Sequence, residues 1–285
     1  NRPECLNAIN DILLNEVIEA LNVKKSGKYI DATIGECGHL KKIAELGGNV
    51  LGIDWDESQI EKAKSKLQKE NVTLAVGNFA ELKTIAEQNG FTQVDGILFD
   101  LGLSFEQMMT TKRGFSYKNV SEPLDMRIAT TDEITAANIL NTYSKEQLYE
   151  VFSRNSEEIL SMQIAQKIFT RRFKKKYETV YDLVSTIAFV NPPNPMRTNA
   201  RIFQALRIEV NHEKDNLKSA LVQALDLIVS GGVIVVISFH SIEDRIVKDF
   251  AKQHRAELKE KKLVARHSRV RAFERSAVLR IMTKI

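Results

Sequence analysis

Residues 28–56, KYIDATIGECGHLKKIAELGGNVLGIDWD, predict a strand, a glycine-bearing turn, a helix and a second strand that ends in an acid. The apolar run at 29–32 is the first strand, GECG at 35–38 is the turn, and a second apolar run leads into Asp54. This order is half of a nucleotide-binding βαβ unit. Its turn lets backbone amides approach a ligand, and the acid can accept hydrogen bonds from both ribose hydroxyls. The ligand predicted from this pattern is a dinucleotide or S-adenosylmethionine.

The spacing inside the turn separates these two ligands. In the GxGxxG fingerprint the middle glycine lets the backbone touch a pyrophosphate, and Cys37 occupies that position here. A pyrophosphate is therefore disfavoured. S-Adenosylmethionine carries a sulfonium and an amino acid, so a loop for it needs polar acceptors such as Asp31 and Glu36 beside Gly35. The alternative is a strand, turn and helix that only pack.

Length and composition indicate a folded protein with a sizeable core. With 285 residues and 43% hydrophobic content it can bury one large domain, or one domain with an insertion. No apolar run approaches the roughly 18 residues of a membrane span, and no signal peptide is apparent, so we expect a cytoplasmic protein. Cys5 and Cys37 lie far apart without metal-ligand spacing, so we predict neither a zinc site nor a structural disulfide.

Basic charge is concentrated at the carboxyl end of the chain. Residues 251–285 contain eleven Lys and Arg against three Asp and Glu, a charge of +8, while the rest holds 30 against 34, a charge of −4. This asymmetry predicts an anionic partner such as nucleic acid, although a solvated surface hairpin would show the same pattern. A second basic run covers 171–176. The residues that we expect to contact phosphate are Arg171, Arg172, Lys174, Arg266, Arg269, Arg271 and Arg275.

Strands alternate with helices over the first hundred residues. After the βαβ half, the pattern predicts strands at 72–76 and 94–99, which predicts a doubly wound, mostly parallel α/β sheet. Ligands of such sheets bind outside the carboxyl ends of the strands. The residues expected at those ends are Gly35, Asp54, Phe79, where an adenine could rest, and Asp100.

The alternation stops after Asp100. We predict an inserted helical subdomain at 105–211, which would bind substrate or RNA, between the two parts of one α/β domain at 1–104 and 212–285. The predicted elements after Asp100 are helices at 146–152, 157–173, 217–229 (capped by Gly231 and Gly232) and 241–252, a proline-rich turn at 191–195, and strands at 233–239 and 278–285.

Several long sequence blocks resemble one bacterial family. DATIGECGH, GIDWD, FDLGLSFEQM, RGFSY, EPLDMR, RIFQALRIEVN, GGVIVVISFHSIEDRIVK and RSAVLR occur in the order seen in the RsmH (MraW) methyltransferases. The likeness covers about residues 11–285. Those enzymes transfer a methyl group from S-adenosylmethionine to the exocyclic N4 amine of a cytosine in the decoding region of 16S ribosomal RNA. The resemblance also implies a class I methyltransferase fold with a helical insertion.

The resemblance carries the family's cofactor contacts onto matching positions of this chain. Cys37 departs from the family, which usually has glycine there, and a positive φ at this residue would cost about 1 kcal/mol relative to glycine. The implied contacts are Cys37, Gly38, His39, Asp54, Phe79, Asp100 and Gln107.

Two residues are candidates for the chemistry of amine methylation. The lone pair of a cytosine amine is delocalised into the ring, so the site must accept its hydrogen bonds as the nitrogen rehybridises. Asp100 is the first catalytic candidate, with holding the cofactor amine or sugar as its competing role. His240 is the second, as a base or as a donor that orients the base. The NPPN run at 191–194 resembles an amino-methyltransferase motif, but it lacks an aromatic fourth residue and we predict a turn instead.

Two other functions fit parts of the same pattern. A dinucleotide-dependent oxidoreductase would use the same βαβ unit, but the sequence of the turn disfavours this function. A non-catalytic ribosome-binding protein could keep the same fold. The expected partner is 16S ribosomal RNA in the small subunit or its precursor, with no membrane, and the sequence leaves open whether the protein is a monomer or a homodimer.

Overall fold

A computed structural model describes residues 13–67, 69–264 and 277–285, which form two compact units. The α/β unit comprises Asn1–Leu103 and Lys214–Ile285, and the helical unit comprises Ser104–Glu213. In chain order the elements are α1 (13–21), β1 (Lys28–Asp31), α2 (Gly38–Glu45), β2 (Asn49–Asp54), α3 (Glu57–Lys66), β3 (Val72–Val76), a 3₁₀ turn (Phe79–Glu81), α4 (Leu82–Gln88), β4 (Val94–Asp100), α5 (Phe105–Thr110), α6 (Ala136–Thr142), α7 (Lys145–Ser156), α8 (Ser161–Arg171), α9 (Val180–Phe189), α10 (Pro195–Val210), α11 (Glu213–Leu227), β5 (Ile228–Ser238), α12 (Ser241–Gln253), β6 (Leu258–Val264) and β7 (Val278–Lys284).

The strands of the described chain form one sheet in the order β3-β2-β1-β4-β5-β7-β6. The pairs from β3 to β5 are parallel, and β7 pairs antiparallel with both β5 and β6. Chain order reverses at β1, which lies between β2 and β4. The doubly wound, mostly parallel α/β fold predicted from the sequence is confirmed.

The sheet is buried on both faces because successive side chains of a strand point to opposite sides. Ile30 and Leu51 belong to one apolar cluster, and their neighbours Tyr29 and Val50 belong to the other. All four are fully buried. Burial on both faces explains why these strands read as continuous apolar runs in the sequence.

The helical unit has start signals at several of its helices. Ser104, Thr135 and Ser144 each form a reciprocal capping box with the third residue of the helix that follows. Asn194 accepts a hydrogen bond from the Arg197 amide (3.0 Å), and Pro195 occupies the first turn of α10. The NPPN run, predicted as a turn, thus directly precedes α10, and its last residue caps that helix.

Some predicted helix boundaries are wrong, each for a local reason. Glu157 adopts a left-handed conformation (φ 53°) that ends α7, so α8 begins at Ser161 and not at 157. The helix predicted at 217–229 ends at Leu227, since residues 228–230 already belong to β5.

Gly231 and Gly232 lie within β5 and do not cap the preceding helix. The register shifts here, because Val94 pairs with Ile228 whereas Gly96 pairs with Val233. Gly231 has a φ of +77°, a conformation that favours glycine. The two glycines therefore form a bulge that brings β5 into register with the carboxyl half of β4.

The basic segment at the carboxyl end is partly used inside the fold. Arg280 is 4% exposed and forms a bidentate pair with Asp244 (2.8 and 3.0 Å), with Glu260 beside its other nitrogen. Lys284 donates to the carbonyl oxygens of Leu225 and Ile228. Arg266, Arg269, Arg271 and Arg275 lie outside the described residues, as does Cys5. In the part of the chain that is described, no helix has the length and apolar character to cross a bilayer.

Replacing Arg280 with Met should lower the free energy of unfolding by roughly 1–3 kcal/mol, since it removes hydrogen bonds between charged groups and leaves the partly buried carboxylate of Asp244 without its partner. Lys262→Met is the matched control: Lys262 lies 3.9 Å from the same Asp244 but is 44% exposed, so its removal should cost under about 1 kcal/mol. Urea titration of both variants measures the difference. Equal decreases would mean that burial does not set the strength of the Arg280 pairs.

Candidate active site

Three aspartates lie at the carboxyl ends of three adjacent strands. Asp54 ends β2, Asp31 ends β1, and Asp100 ends β4, so parallel pairing places them along one edge of the sheet. Asp31 is 1% exposed and Asp54 is 9% exposed. Burying a carboxylate without a cation or a hydrogen-bond donor costs free energy, so this edge has the composition of a binding site.

Asp54 connects the turn after β1 to the end of β2. Its Oδ2 accepts a hydrogen bond from the Gly35 amide (3.2 Å), and its Oδ1 accepts one from the Asp56 amide (2.9 Å). Burial nevertheless raises the pKa of Asp54 to about 6, since the amide hydrogen bonds offset only part of the desolvation. Asp54 therefore fixes the shape of the turn.

The turn packs closely on β2. Gly52 lies beneath it, and a Cβ there would stand 2.7 Å from Ile34 Cγ2 and 2.9 Å from Leu40 Cδ1, so only glycine fits without a shift. Glu36 and Gly38 are exposed on the outer side of the turn.

Cys37 adopts the left-handed conformation that its position predicts. Its φ is 69° at the start of α2, and its side chain is 5% exposed and packs with Leu40 and Ile43. The Cys37 amide donates to the Ile34 carbonyl (2.7 Å), which closes the turn. The apolar contacts of the Cys37 side chain therefore offset the strain of a non-glycine residue at a positive φ.

Several buried polar atoms at this edge have no hydrogen-bond partner within the described chain: Asp31 Oδ2, Asp100 Oδ1 and His39 Nε2. Burial raises the pKa of Asp31 well above its usual range, and the charges of Asp100 and Asp54 act in the same direction. Burial, with a smaller effect of the Glu243 charge, raises the pKa of Asp100 to about 7. A bound cation or hydrogen-bond donor would lower the pKa values of both Asp31 and Asp100.

His39 is neutral at physiological pH. Burial lowers its pKa to about 4, because little water remains to solvate an imidazolium. Its Nδ1 lies 3.8 Å from Oδ2 of Asp100, beyond hydrogen-bond distance. The backbone amide of Asp100 instead donates to Thr33 Oγ1 (2.6 Å), which fixes the end of β4.

Phe79 follows β3 and is half-buried in the first position of the 3₁₀ turn. It packs edge-to-face on Phe99, with ring centroids 5.9 Å apart. Asn78 caps the turn by accepting a hydrogen bond from the Ala80 amide (2.9 Å). The ring is thus anchored in the core on one side and partly open on the other.

His240 caps α12. Its Nδ1 accepts a hydrogen bond from the Glu243 amide (3.4 Å), so the proton resides on Nε2 and His240 acts as a donor in this tautomer. Nε2 lies 3.0 Å from Glu243 Oε1, at ion-pair distance but without hydrogen-bond alignment. Of the two roles predicted for His240, this arrangement favours the donor.

Glu243 is the site residue that sequence reasoning missed. It is 6% exposed, and its Oε2 accepts a hydrogen bond from the Phe239 amide (3.0 Å), which holds the end of β5. The available signal was its spacing: an acid three residues after the cap of a helix returns to the backbone before the helix.

The remaining predicted residues lie in the helical unit. Gln107 is buried and completes the capping box of α5, accepting from the Ser104 amide (2.9 Å), so its cofactor contact stays a prediction. Arg171 donates to the Asp182 carbonyl and the Ser185 and Thr186 hydroxyls. Arg172 is 9% exposed and donates to the Leu140 and Tyr143 carbonyls, so its phosphate contact stays a prediction that this burial disfavours. Lys174 is exposed.

The sheet order, with β7 inserted antiparallel beside β5, and the acids at the ends of β1, β2 and β4 define a class I methyltransferase fold. Comparison with known sequences agrees: the model of the MraW methylase family matches residues 9–284. This chain belongs to that family.

This chain is similar to several named proteins over most of their length. A ribosomal RNA small subunit methyltransferase H of Caldicellulosiruptor bescii is 42% identical over 252 residues, which cover 86% of this chain and 82% of its own. A ribosomal RNA small subunit methyltransferase H 2 of Agathobacter rectalis is 38% identical, covering 85% and 80%. A solved rRNA methylase structure from Streptococcus thermophilus aligns with a TM-score of 0.46 at 10% identity, over 93% of this chain and 92% of its own.

Two substitutions at Cys37, compared with each other, should isolate the cost of its backbone conformation. Both Cys37→Gly and Cys37→Ala remove the thiol, but only glycine adopts the left-handed conformation freely, so the glycine variant should be more stable by about 1 kcal/mol. Thermal unfolding of the two proteins measures this difference. A more stable alanine variant would show that the chain relaxes away from the positive φ.

Replacing Asp100 with Asn should stabilise the protein at alkaline pH. The folded state holds the Asp100 proton more tightly than the unfolded state, so this stabilisation is present below the usual pKa near 4 and disappears as the pH rises through about 7. Asn carries no such proton. The variant should therefore melt several degrees above the parent at about pH 8, and this gain should shrink by about pH 5. Asp249→Asn, on an exposed face of α12, is the control and should show no such pH-dependent gain.

Proposed function

We propose that this protein transfers a methyl group from S-adenosylmethionine to the exocyclic N4 amine of a cytosine in the decoding region of 16S ribosomal RNA. Membership in a methylase family and the names of the relatives support the reaction class and an RNA substrate. The single observation that carries the residue-level proposal is Asp100: a buried carboxyl group at the end of β4, with an unpartnered oxygen and a pKa raised to about 7.

The residues at the strand ends fit the chemical groups of S-adenosylmethionine. Asp54 would accept hydrogen bonds from the ribose hydroxyls, and Phe79 would contact the adenine with its open face. The acidic edge suits a ligand with a sulfonium and an ammonium group, because those charges would favour the ionised forms of Asp31 and Asp100. The turn from Gly35 to His39 would lie against the amino-acid part of the ligand. When bound, the cofactor supplies an electrophilic methyl group.

Asp100 would handle the proton of the target amine. As the nitrogen forms its new bond to carbon, the carbon–sulfur bond breaks and the nitrogen acquires positive charge, so it must lose a proton. Ionised Asp100 accepts a hydrogen bond from the amine before this step and takes the proton afterwards. A carboxylate with a pKa near the working pH is well matched to this role.

His240 and Glu243 would position the end of β5 beside Asp100. Glu243 holds the Phe239 amide, and its carboxylate charge raises the pKa of Asp100. His240 presents a protonated Nε2, which suits orientation of an acceptor and not removal of a proton. We therefore assign His240 as a positioning residue and Asp100 as the catalytic residue.

The substrate would be 16S ribosomal RNA in the small subunit or its precursor. Lys174 remains a candidate phosphate contact, as do Arg266, Arg269, Arg271 and Arg275 outside the described residues. Gln107 is proposed as a cofactor contact from its position in the FEQM block alone.

Asp100→Asn should reduce methyl transfer to undermethylated small subunits by on the order of 100- to 10,000-fold, because the amide cannot accept the proton. In the parent protein kcat/KM, which reports the ligand-free state, should rise with pH and level off above about 7, where Asp100 is ionised. Labelled methyl incorporation, followed by mass mapping of the modified nucleoside, measures both effects. Asp249→Asn should retain the parental rate.

A near-normal rate for Asp100→Asn would remove this residue from the mechanism. Titration of the parent protein with S-adenosylhomocysteine and, separately, with NADH tests the competing dinucleotide-dependent reaction. Binding of NADH alone would contradict the proposed function. A methyl group mapped to another nucleoside would keep the reaction class and correct the target.

A further inference from the structure

Phe173 is a large apolar side chain left in solvent by the helical unit. It follows α8 and is 74% exposed. At such exposure the ring buries little apolar surface, so it contributes little to stability. Its neighbours in sequence, Lys174 and Lys176, are exposed as well.

The Phe173 ring contacts two other side chains of the helical unit. Its centroid lies 5.4 Å from that of Phe169, with the rings nearly perpendicular at 79°. The Arg172 guanidinium lies 4.4 Å from the Phe169 ring centroid and 5.5 Å from that of Phe173. Because this guanidinium is buried and bound to the carbonyl oxygens of Leu140 and Tyr143, it forms a fixed support.

The turn that carries Phe173 is anchored on its other side too. The amides of Lys174 and Lys175 donate to the Arg171 carbonyl (2.9 and 3.1 Å). Lys175 also pairs with the buried carboxylate of Asp182 (2.6 Å). An aromatic ring fixed by these contacts loses little conformational entropy on binding a ligand.

The surroundings of Phe173 are strongly basic. Residues 161–176 contain six Lys and Arg and no Asp or Glu, and of these cations Lys175 is paired with Asp182. Arg172 is bound by neutral carbonyl oxygens, which do not cancel its charge. A fixed exposed ring inside a basic segment fits a ligand that is both anionic and flat, which describes the phosphates and bases of a single strand of RNA.

We propose that Phe173 is a stacking platform for an unpaired base of the RNA substrate, with Lys174 and Lys176 contacting the flanking phosphates. This inference rests on the proposed function for its RNA and adds the mode of recognition. A duplex does not present base faces, so the platform selects single-stranded or looped segments. It also gives a reason for the burial of Arg172, which supports the ring instead of binding phosphate.

Fluorescence anisotropy with a labelled single-stranded RNA of about ten nucleotides tests the platform on the whole chain. Phe173→Leu keeps an apolar side chain but removes the π face, so the affinity should fall about five- to 100-fold at every salt concentration with an unchanged salt slope. The double variant Lys174→Gln, Lys176→Gln should instead reduce the slope by about 0.7 for each phosphate that is no longer neutralised. A blunt RNA duplex should bind the parent and Phe173→Leu equally.

Phe189→Leu is the matched control. Phe189 is 71% exposed in the same unit but is contacted by one lysine, Lys167, at 5.2 Å, and it lacks the buried guanidinium. Its replacement should leave RNA affinity unchanged, and an equal decrease in both variants would overturn the assignment to Phe173. Unchanged affinity in Phe173→Leu would also overturn it, as would self-association of the parent that this substitution abolishes.

Methyl transfer and S-adenosylhomocysteine binding by the same proteins separate the two proposals. Failure of the parent to methylate small subunits, with Phe173-dependent RNA binding intact, would count against the proposed reaction alone. Methyl transfer without any effect of Phe173 on RNA affinity would count against the platform alone.

Discussion

The parallel pairing of β1 with both β2 and β4 is the constraint on which the site depends. Asp31 pairs with Gly52 on one side and with Leu98 on the other, so Asp54 and Asp100 lie at matching levels on either side, two residues beyond Asp31. Asp54, Asp31 and Asp100 are therefore brought to one edge by backbone hydrogen bonds and not by contacts of their own. The apolar clusters on both faces hold this register, because a slip of one residue would exchange the faces of every side chain.

The carboxyl groups at this edge oppose the stability of the ligand-free fold. Their raised pKa values show that the folded state disfavours ionised carboxylates there, and the unpartnered oxygens of Asp31 and Asp100 show the same cost in hydrogen bonding. A protein selected for stability alone would place apolar or hydrogen-bonded residues at these positions. Such a conflict between local stability and burial is expected where a site is organised for a charged ligand.

The two units use their basic and aromatic residues differently. In the α/β unit, Arg280 is buried among acids and joins the carboxyl-terminal strands to α12. In the helical unit, Arg172 is buried among carbonyl oxygens and aromatic rings, and the nearby Lys174 and Lys176 are exposed, whereas Lys175 pairs with Asp182. A count of basic residues cannot separate these roles, since the charge matters for binding only where no carboxylate lies beside it.

The sequence by itself determined the α/β fold, the strands β1 to β5 and β7, and the place of Asp54 and Asp100 at strand ends. These follow from apolar periodicity and glycine-bearing turns, which are local properties of the chain. Only the tertiary structure decided that Gly231 and Gly232 form a bulge, that Glu243 holds the end of β5, and that Arg172 is buried. The bulge and the buried guanidinium depend on which segment lies opposite in space. Residues such as Asp95 and Gly232, or Arg172 and Tyr143, are too far apart in sequence for any local pattern to predict their contact.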